Sequence, residues 1–200
     1  GHRFKSCRAH QNSSFSSLFN DKKHHEGIAF ACHQMPVLSG ASGAGIAEKL
    51  APLLDMEHVS LESRRFPDGE AYVRVPPESI ESVRSESVVL VSNTFPDSGI
   101  MQTLLLLGAI RDVRKGNLSS LKGEWSGNSE DVGPGVFLAI PYYGYARQDK
   151  RFSPGESVSA KVVTEVISGF CDGIAILDLH APEVLEDMEV PIEFVSSMQE

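Results

Sequence analysis

No apolar run in this sequence approaches the roughly 20 residues that a helical membrane span needs, so no membrane partner is expected. Cysteine is scarce as well. Cys7, Cys32 and Cys171 are odd in number, widely spaced and free of any CxxC pair, which removes a disulfide framework and suits ordinary thiols in a reducing compartment. Positive charge is outweighed, with 18 Lys and Arg against 27 Asp and Glu and a net charge of -9. A general nucleic-acid binder displaces counterions with a basic stripe, so no nucleic-acid partner is expected. The common phosphate-binding and nucleophile signatures are missing too: there is no Walker A sequence, no GxGxxG and no GxSxG.

What is present is enough apolar material, 41% of 200 residues, for one large α/β domain or a domain with unattached flanks. Residues 1–27 stand apart. They are Ser-rich and hold five Lys or Arg against Asp21 and Glu26, a net of +3 where the remaining residues carry -12. Two readings stay open for this extension, a disordered tail or an organelle-targeting segment. The expected location is cytoplasmic, with organelle import left open by the extension. Residues 28–200 are expected to form the folded domain.

Within it, strand-like and helix-like segments alternate. Strands are expected within 28–38, at 59–61, 71–75, 87–92 and 136–140, in "GIAILDL", and at 190–195. Helices are expected over 45–54, from about 97 to Gly116 and over 157–170. In the second, Asp97 or Ser98 is the expected N-cap, with Ile100, Leu104, Leu107 and Ile110 on the inner face. In the third, Val158, Val162, Val166 and Phe170 are the expected inner face. This alternation predicts an α/β fold with a mainly parallel sheet and helices on both faces. The segment 117–134 breaks the rhythm and reads as a polar surface insertion anchored locally by Trp125.

In such a sheet the loops after strands gather at the carboxyl edge, where open α/β sheets bind ligands. "SGAS", "NTFPDS", "PYYGYARQDK" and "DLHAPE" are those loops. The third is unusually long and aromatic for a connection. Its Arg147, Gln148, Asp149, Lys150 and Arg151 offer a planar fork for phosphate oxygens, point charges and an amide for a base edge or ribose. A solvated charge run is the plain alternative. Two of Tyr142, Tyr143 and Tyr145 are expected to be packing residues under the loop. Asp178 and His180, two apart at a strand end, are expected on one face, where Asp178 is the better magnesium ligand. "RRFPDGEAYVRV" reads as a hairpin with a turn at Asp68 and Gly69; either its charges are solvated or Phe66 needs something to stack on it.

Taken together, "FPDGEAYVRV", "PYYGYARQDKRFSPGESVSAK" and "LDLHAPEVLEDMEVPIEF" closely resemble ribose-phosphate pyrophosphokinase. The resemblance runs from about Val37 to the end, and "NTFPDSGIMQTLLLLGAIRD" and "RFSPGES" look like its archaeal branch. It implies a phosphoribosyltransferase-like domain, ATP as co-substrate with Mg2+, and transfer of the ATP diphosphoryl group to ribose 5-phosphate. It implies that Arg147, Gln148 and Asp149 belong to an ATP-holding loop. By the same match Phe66, Asp68, Gly69 and Glu70 lie in a loop that receives adenine from a neighbouring subunit, so a homo-oligomer with shared active sites is expected. His180 matches a histidine assigned to magnesium–ATP and to catalysis, with Asp178 beside it. Glu189 and Glu193 stand where many members carry aspartates. The ribose-phosphate loop and its C-terminal domain are expected beyond Glu200, which would leave this stretch catalytically incomplete. A non-catalytic, synthetase-associated regulatory paralogue is the alternative, and a generic α/β ligand-binding module is the reading from fold alone.

Overall fold

The computed structural model describes residues 35–116 and 134–197. The expectations for residues 1–27, for Cys7, Cys32 and Trp125, and for the insertion up to residue 133 lie outside the described residues.

Six strands form one sheet: β1 (Val37–Ser39), β2 (His58–Ser60), β5 (Val88–Val91), β6 (Val136–Ile140), β7 (Gly173–Leu177) and β8 (Ile192–Val195). Their order is β2-β1-β5-β6-β7-β8, and every neighbouring pair is parallel. A separate antiparallel hairpin pairs β3 (Glu62–Arg65) with β4 (Ala71–Arg74). The helices are α1 (Ala44–Leu53), α2 (Ile80–Ser85), α3 (Asp97–Arg114) and α4 (Ser159–Ser168). The expected α/β class with a parallel sheet is therefore what the chain forms.

Central strands of such a sheet are covered on both faces, which explains the unbroken apolar run Val88–Val91, all four residues buried. Alternate side chains enter two cores. Leu38, Leu90, Leu138 and Ile176 join the larger one with Val83 of α2, Leu107 and Ile110 of α3 and Ile167 of α4. Val37 and Val91 point the other way and meet Ala47 and Ala51 of α1.

The expected face of α4 is rotated, whereas that of α3 is met at Leu107 and Ile110 and is broader than expected. On α4 the buried residues are Ala160, Thr164 and Ile167, whereas Val162 and Val166 are about half exposed. The cause is Tyr143, whose ring lies in the core and whose hydroxyl donates to the Ala160 carbonyl at 2.7 Å and pairs with Thr164 Oγ1 at 2.6 Å. A phenol beneath the helix calls for small side chains above it. Burial also pushes the Tyr143 hydroxyl up to about 12. On α3 the buried stripe is Gly99, Thr103, Leu106, Leu107, Ile110 and Val113, while Ile100 and Leu104 are half-buried. The N-cap of α3 is Pro96, with no side-chain cap; Asp97 instead accepts the Tyr145 hydroxyl at 2.7 Å. Gly116, at φ 73, ends the helix as expected.

Candidate functional site

Because all six strands run the same way, the four loops singled out in the sequence do emerge at one carboxyl edge. The strand order turns at β1, with β2 on one side and β5 on the other. Crevices at such switch points are the usual ligand sites of open α/β sheets. A cavity of about 270 Å³ lies there, lined by Ala41 and Ser42 after β1, Arg65, Phe95 and Pro96 after β5, and Ser98, Gly99 and Gln102 of α3.

The loop after β6 is rooted in the core by Tyr143 and then turns outward. Tyr142 and Tyr145 are exposed, so one tyrosine of the three packs beneath the loop rather than two. Tyr142 instead meets Phe95 edge-on at 5.6 Å, and Tyr145 takes φ 67 and reaches Asp97. That hydrogen bond to a carboxylate raises the Tyr145 hydroxyl above its usual range. The tip is folded by Glu156, whose Oε2 accepts from the backbone N–H groups of Phe152 and Ser153, while Arg151 donates to the Glu156 carbonyl at 2.8 Å. Gln148 is held through its backbone, donating to Tyr145 and accepting from Ala160. Arg147 is exposed, as Arg151 is, but unlike Arg151 it has no hydrogen bond or ion pair to its guanidinium among the described residues. A free guanidinium over a fixed backbone is suited to an incoming anion.

The hairpin turn is self-sufficient. Phe66 N–H donates to the Glu70 carbonyl at 2.8 Å, Gly69 adopts φ 94, and Asp68 Oδ1 accepts from Glu70 N–H at 3.1 Å. Phe66 stays exposed, at 39%, but has ring contacts within the chain that the sequence reading did not foresee. Its ring meets Tyr72 edge-on at 5.8 Å, and the Arg64 guanidinium lies 4.9 Å from the Phe66 centroid and 4.1 Å from that of Tyr72. Glu70 is exposed. The hairpin rests on α3 through Gln102, which donates to Ser63 at 2.6 Å. Among the described residues no hydrogen bond or ring contact joins the hairpin turn to the loop after β6.

Asp178 and His180 follow β7, beside the loop after β6. They do not share a strand face, because β7 ends at Leu177 and Asp178 takes φ 49. Both are exposed. The Asp178 carboxylate accepts from Ser197 N–H and from its hydroxyl, bonds that lower the Asp178 pKa. Among the described residues no group of three or more His, Cys, Asp or Glu is placed to hold a metal ion. Glu193 lies on β8 and Glu189 on the exposed approach to it.

The residues that sequence reasoning missed are those tying the loops together. Asn93 donates from Nδ2 to the Ser42 carbonyl at 2.7 Å and accepts at Oδ1 from Tyr142 N–H at 3.0 Å. Thr94 Oγ1 accepts from Gly144 N–H at 2.7 Å. Their only sequence signal was membership of a loop following a strand.

Fold and edge together define a doubly wound α/β domain with a phosphate-suited loop beside its switch point. The matches narrow that class. Residues 35–117 and 135–170 fit the family described as the N-terminal domain of ribose phosphate pyrophosphokinase, and the chain belongs to that family. It is 36% identical over 168 residues to a ribose-phosphate pyrophosphokinase of Methanopyrus kandleri, covering 83% of this chain and 50% of the relative. A ribose-phosphate pyrophosphokinase of Methanothermobacter thermautotrophicus is 33% identical, over 81% of this chain and 50% of the relative. The fold is similar to that of a phosphoribosylpyrophosphate synthetase from Mycobacterium smegmatis, with a TM-score of 0.61 and 24% identity over 82% of this chain and 48% of the other. The chain thus spans about half the length of the relatives it matches. Among the described residues no helix is long and apolar enough to cross a membrane.

Proposed function

We propose that this chain forms the nucleotide-side half of a ribose-phosphate diphosphokinase. The reaction transfers the diphosphoryl group of ATP to the 1-hydroxyl of ribose 5-phosphate, giving phosphoribosyl pyrophosphate and AMP. The observation that carries the proposal is the loop after β6, which holds the unengaged guanidinium of Arg147 beside Gln148 at the carboxyl edge. Transfer of this kind needs positioning and neutralisation of charge more than a covalent nucleophile. In this reading Arg147 takes a phosphate oxygen, Gln148 and Asp149 orient the nucleotide, and ribose 5-phosphate binds in the half of the relatives that this chain does not cover. The turn at Phe66, Asp68, Gly69 and Glu70 faces the adenine of another subunit's site, in a homo-oligomer.

The donors near β7 suit a magnesium ion that arrives with the nucleotide. Mg2+ keeps several waters and takes one or two protein oxygens plus substrate phosphates; in this reading the Asp178 carboxylate supplies the oxygen, and the imidazole of His180, two residues on, meets the magnesium–ATP. When bound, magnesium neutralises charge on the phosphates.

Steady-state kinetics of the full-length protein test the proposal. A lost charged contact to phosphate removes about 1.5–3 kcal/mol, so Arg147→Ala is expected to raise the ATP KM about 10- to 150-fold. The ribose 5-phosphate KM should stay within about threefold, as expected for a residue binding only one substrate. An unchanged ATP response refutes the assignment. A parent protein that binds nucleotide but releases no AMP supports the regulatory paralogue instead.

A further inference from the structure

Among the described residues buried polar side chains are few, and three of the five that are fully enclosed, Ser92, Thr94 and Thr103, follow β5 or lie on the first turns of α3. Ser92 Oγ pairs with Thr103 Oγ1 at 2.7 Å and with Ser42 Oγ at 3.1 Å. The segment Val91–Thr94 is also gripped sterically by three glycines from three different elements. A Cβ on Gly43 would stand 1.9 Å from the Val91 carbonyl oxygen, one on Gly99 2.8 Å from that of Asn93, and one on Gly144 2.4 Å from that of Thr94. Real Cβ atoms do not approach backbone oxygens so closely, so α1, α3 and the loop after β6 are each seated against this segment as tightly as backbone permits.

The root of the nucleotide loop receives three hydrogen bonds from the same place. Tyr142 N–H donates to Asn93 Oδ1 at 3.0 Å, Thr94 N–H to the Tyr142 carbonyl at 3.2 Å, and Gly144 N–H to Thr94 Oγ1 at 2.7 Å. The Asn93 amide is read at both ends, because its Nδ2 donates to the Ser42 carbonyl at 2.7 Å. An alanine there removes both bonds at once. Arg147 follows Gly144 by three residues, and its own side chain has no partner among the described residues to steer it, so its direction is inherited from this root.

We propose that Asn93 and Thr94 are positioning residues that fix the trajectory of the Arg147–Gln148 loop and so set nucleotide affinity without touching the nucleotide. This rests on the reading of Arg147 as a phosphate contact. A displacement of about 1 Å at a binding group lowers rates or affinities by up to about 100-fold. A partial shift is expected when one of three root bonds is lost.

The test is kinetic, in the full-length protein, with Thr94→Val, Thr94→Ser and Asn93→Ala, each alone and combined with Arg147→Ala. Thr94→Val keeps the shape and removes the acceptor; it is expected to raise the ATP KM about tenfold and to leave the ribose 5-phosphate KM within about twofold. Thr94→Ser restores the acceptor and should restore the ATP KM. On the Arg147→Ala background Thr94→Val should add less than about twofold, because residues acting through one contact are not additive. Asn93→Ala, which removes the acceptor for Tyr142 N–H and adds no charge, should reproduce the pattern and keeps the test decisive should Thr94→Val fail to fold. Equal effects on both substrates, or a full tenfold effect on the Arg147→Ala background, overturn the proposal and leave only a structural role. Arg147→Ala without effect would refute the functional reading itself and this inference with it, whereas an effective Arg147→Ala beside silent Thr94 and Asn93 variants refutes the inference alone.

Discussion

Gly43 offers a sharp test of how the carboxyl edge is packed. Its backbone, at φ -107 and ψ -10, lies where any residue is comfortable, so Gly43→Ala carries no conformational penalty of its own. Its whole cost is steric. The new methyl would lie 1.9 Å from the Val91 carbonyl oxygen, 2.6 Å from its carbon and 3.2 Å from Ser92 N, all backbone atoms of a central strand. Overpacking typically costs about 1–3 kcal/mol, and where the neighbour is backbone rather than a flexible side chain the upper end applies. At about 2–4 °C per kcal/mol for a chain of this size, a loss near 3 kcal/mol lowers Tm by about 6–12 °C. Gly108 is the control: it lies inside α3 and a Cβ there meets nothing within 4 Å. Gly108→Ala should therefore gain about 1 kcal/mol of helix propensity and raise Tm by about 2–4 °C. Thermal unfolding followed by circular dichroism reads both. A Gly43→Ala protein melting within about 2 °C of the parent would refute the close approach of α1 to β5.

If sites are shared between subunits, mixing full-length Glu70→Ala with full-length Arg147→Ala should restore part of the activity; mixed oligomers without complementation count against sharing. Burial, with Asp172 adding to it, pushes the Cys171 thiol up to about 12 from 9.0, so at equal pH its thiolate is about 1000-fold scarcer than an unperturbed one. In a Cys7→Ser, Cys32→Ser background, alkylation at pH 8 should be slow until urea unfolds the protein, and rapid labelling of the native state would contradict this. Ser197 lowers the Asp178 pKa below its ordinary 3.8, so the stabilisation is present above that value and is lost as pH falls through the lower folded pKa. Urea midpoints of the parent and Asp178→Asn should accordingly differ at pH 7 and converge in strong acid; a difference that persists unchanged would show that ionisation is not the cause.

The strands were legible because burial on both faces leaves a one-letter signature: "VVLV" and "GIAIL" have few other ways to fold. The placement of the four loops followed from the parallel alternation alone. Helix faces were less legible. Val162 and Val166 are the more apolar choice by periodicity, yet the inner face went to Ala160 and Thr164, because a tyrosine 17 residues earlier in the chain occupies the space beneath them. Phe66 looked unsupported for a similar reason: Tyr72 and the guanidinium of Arg64 meet its ring only once the hairpin has paired, and part of the ring stays exposed. Arg147 and Gln148 stood out as candidates from residue chemistry in a loop after a strand. Asn93 and Thr94 did not, since a small polar pair acquires meaning only from the glycines and carbonyls that converge on it.

The parallel sheet also has a consequence for how the protein is made. β1 has no partner close by in sequence; Val37 pairs with His58 on one side and with Val89 on the other. At about 5–20 residues per second on a ribosome, the chain waits about 3–10 s between the synthesis of Val37 and that of its partner on β5. During that interval the three residues of β1, which end up fully buried, have at most the short β2 for company. The hairpin β3–β4 is complete before the strand that organises the sheet exists. Local pairing can therefore precede closure of the central strands, an order that leaves nascent β1 dependent on whatever shields apolar chain at the tunnel exit.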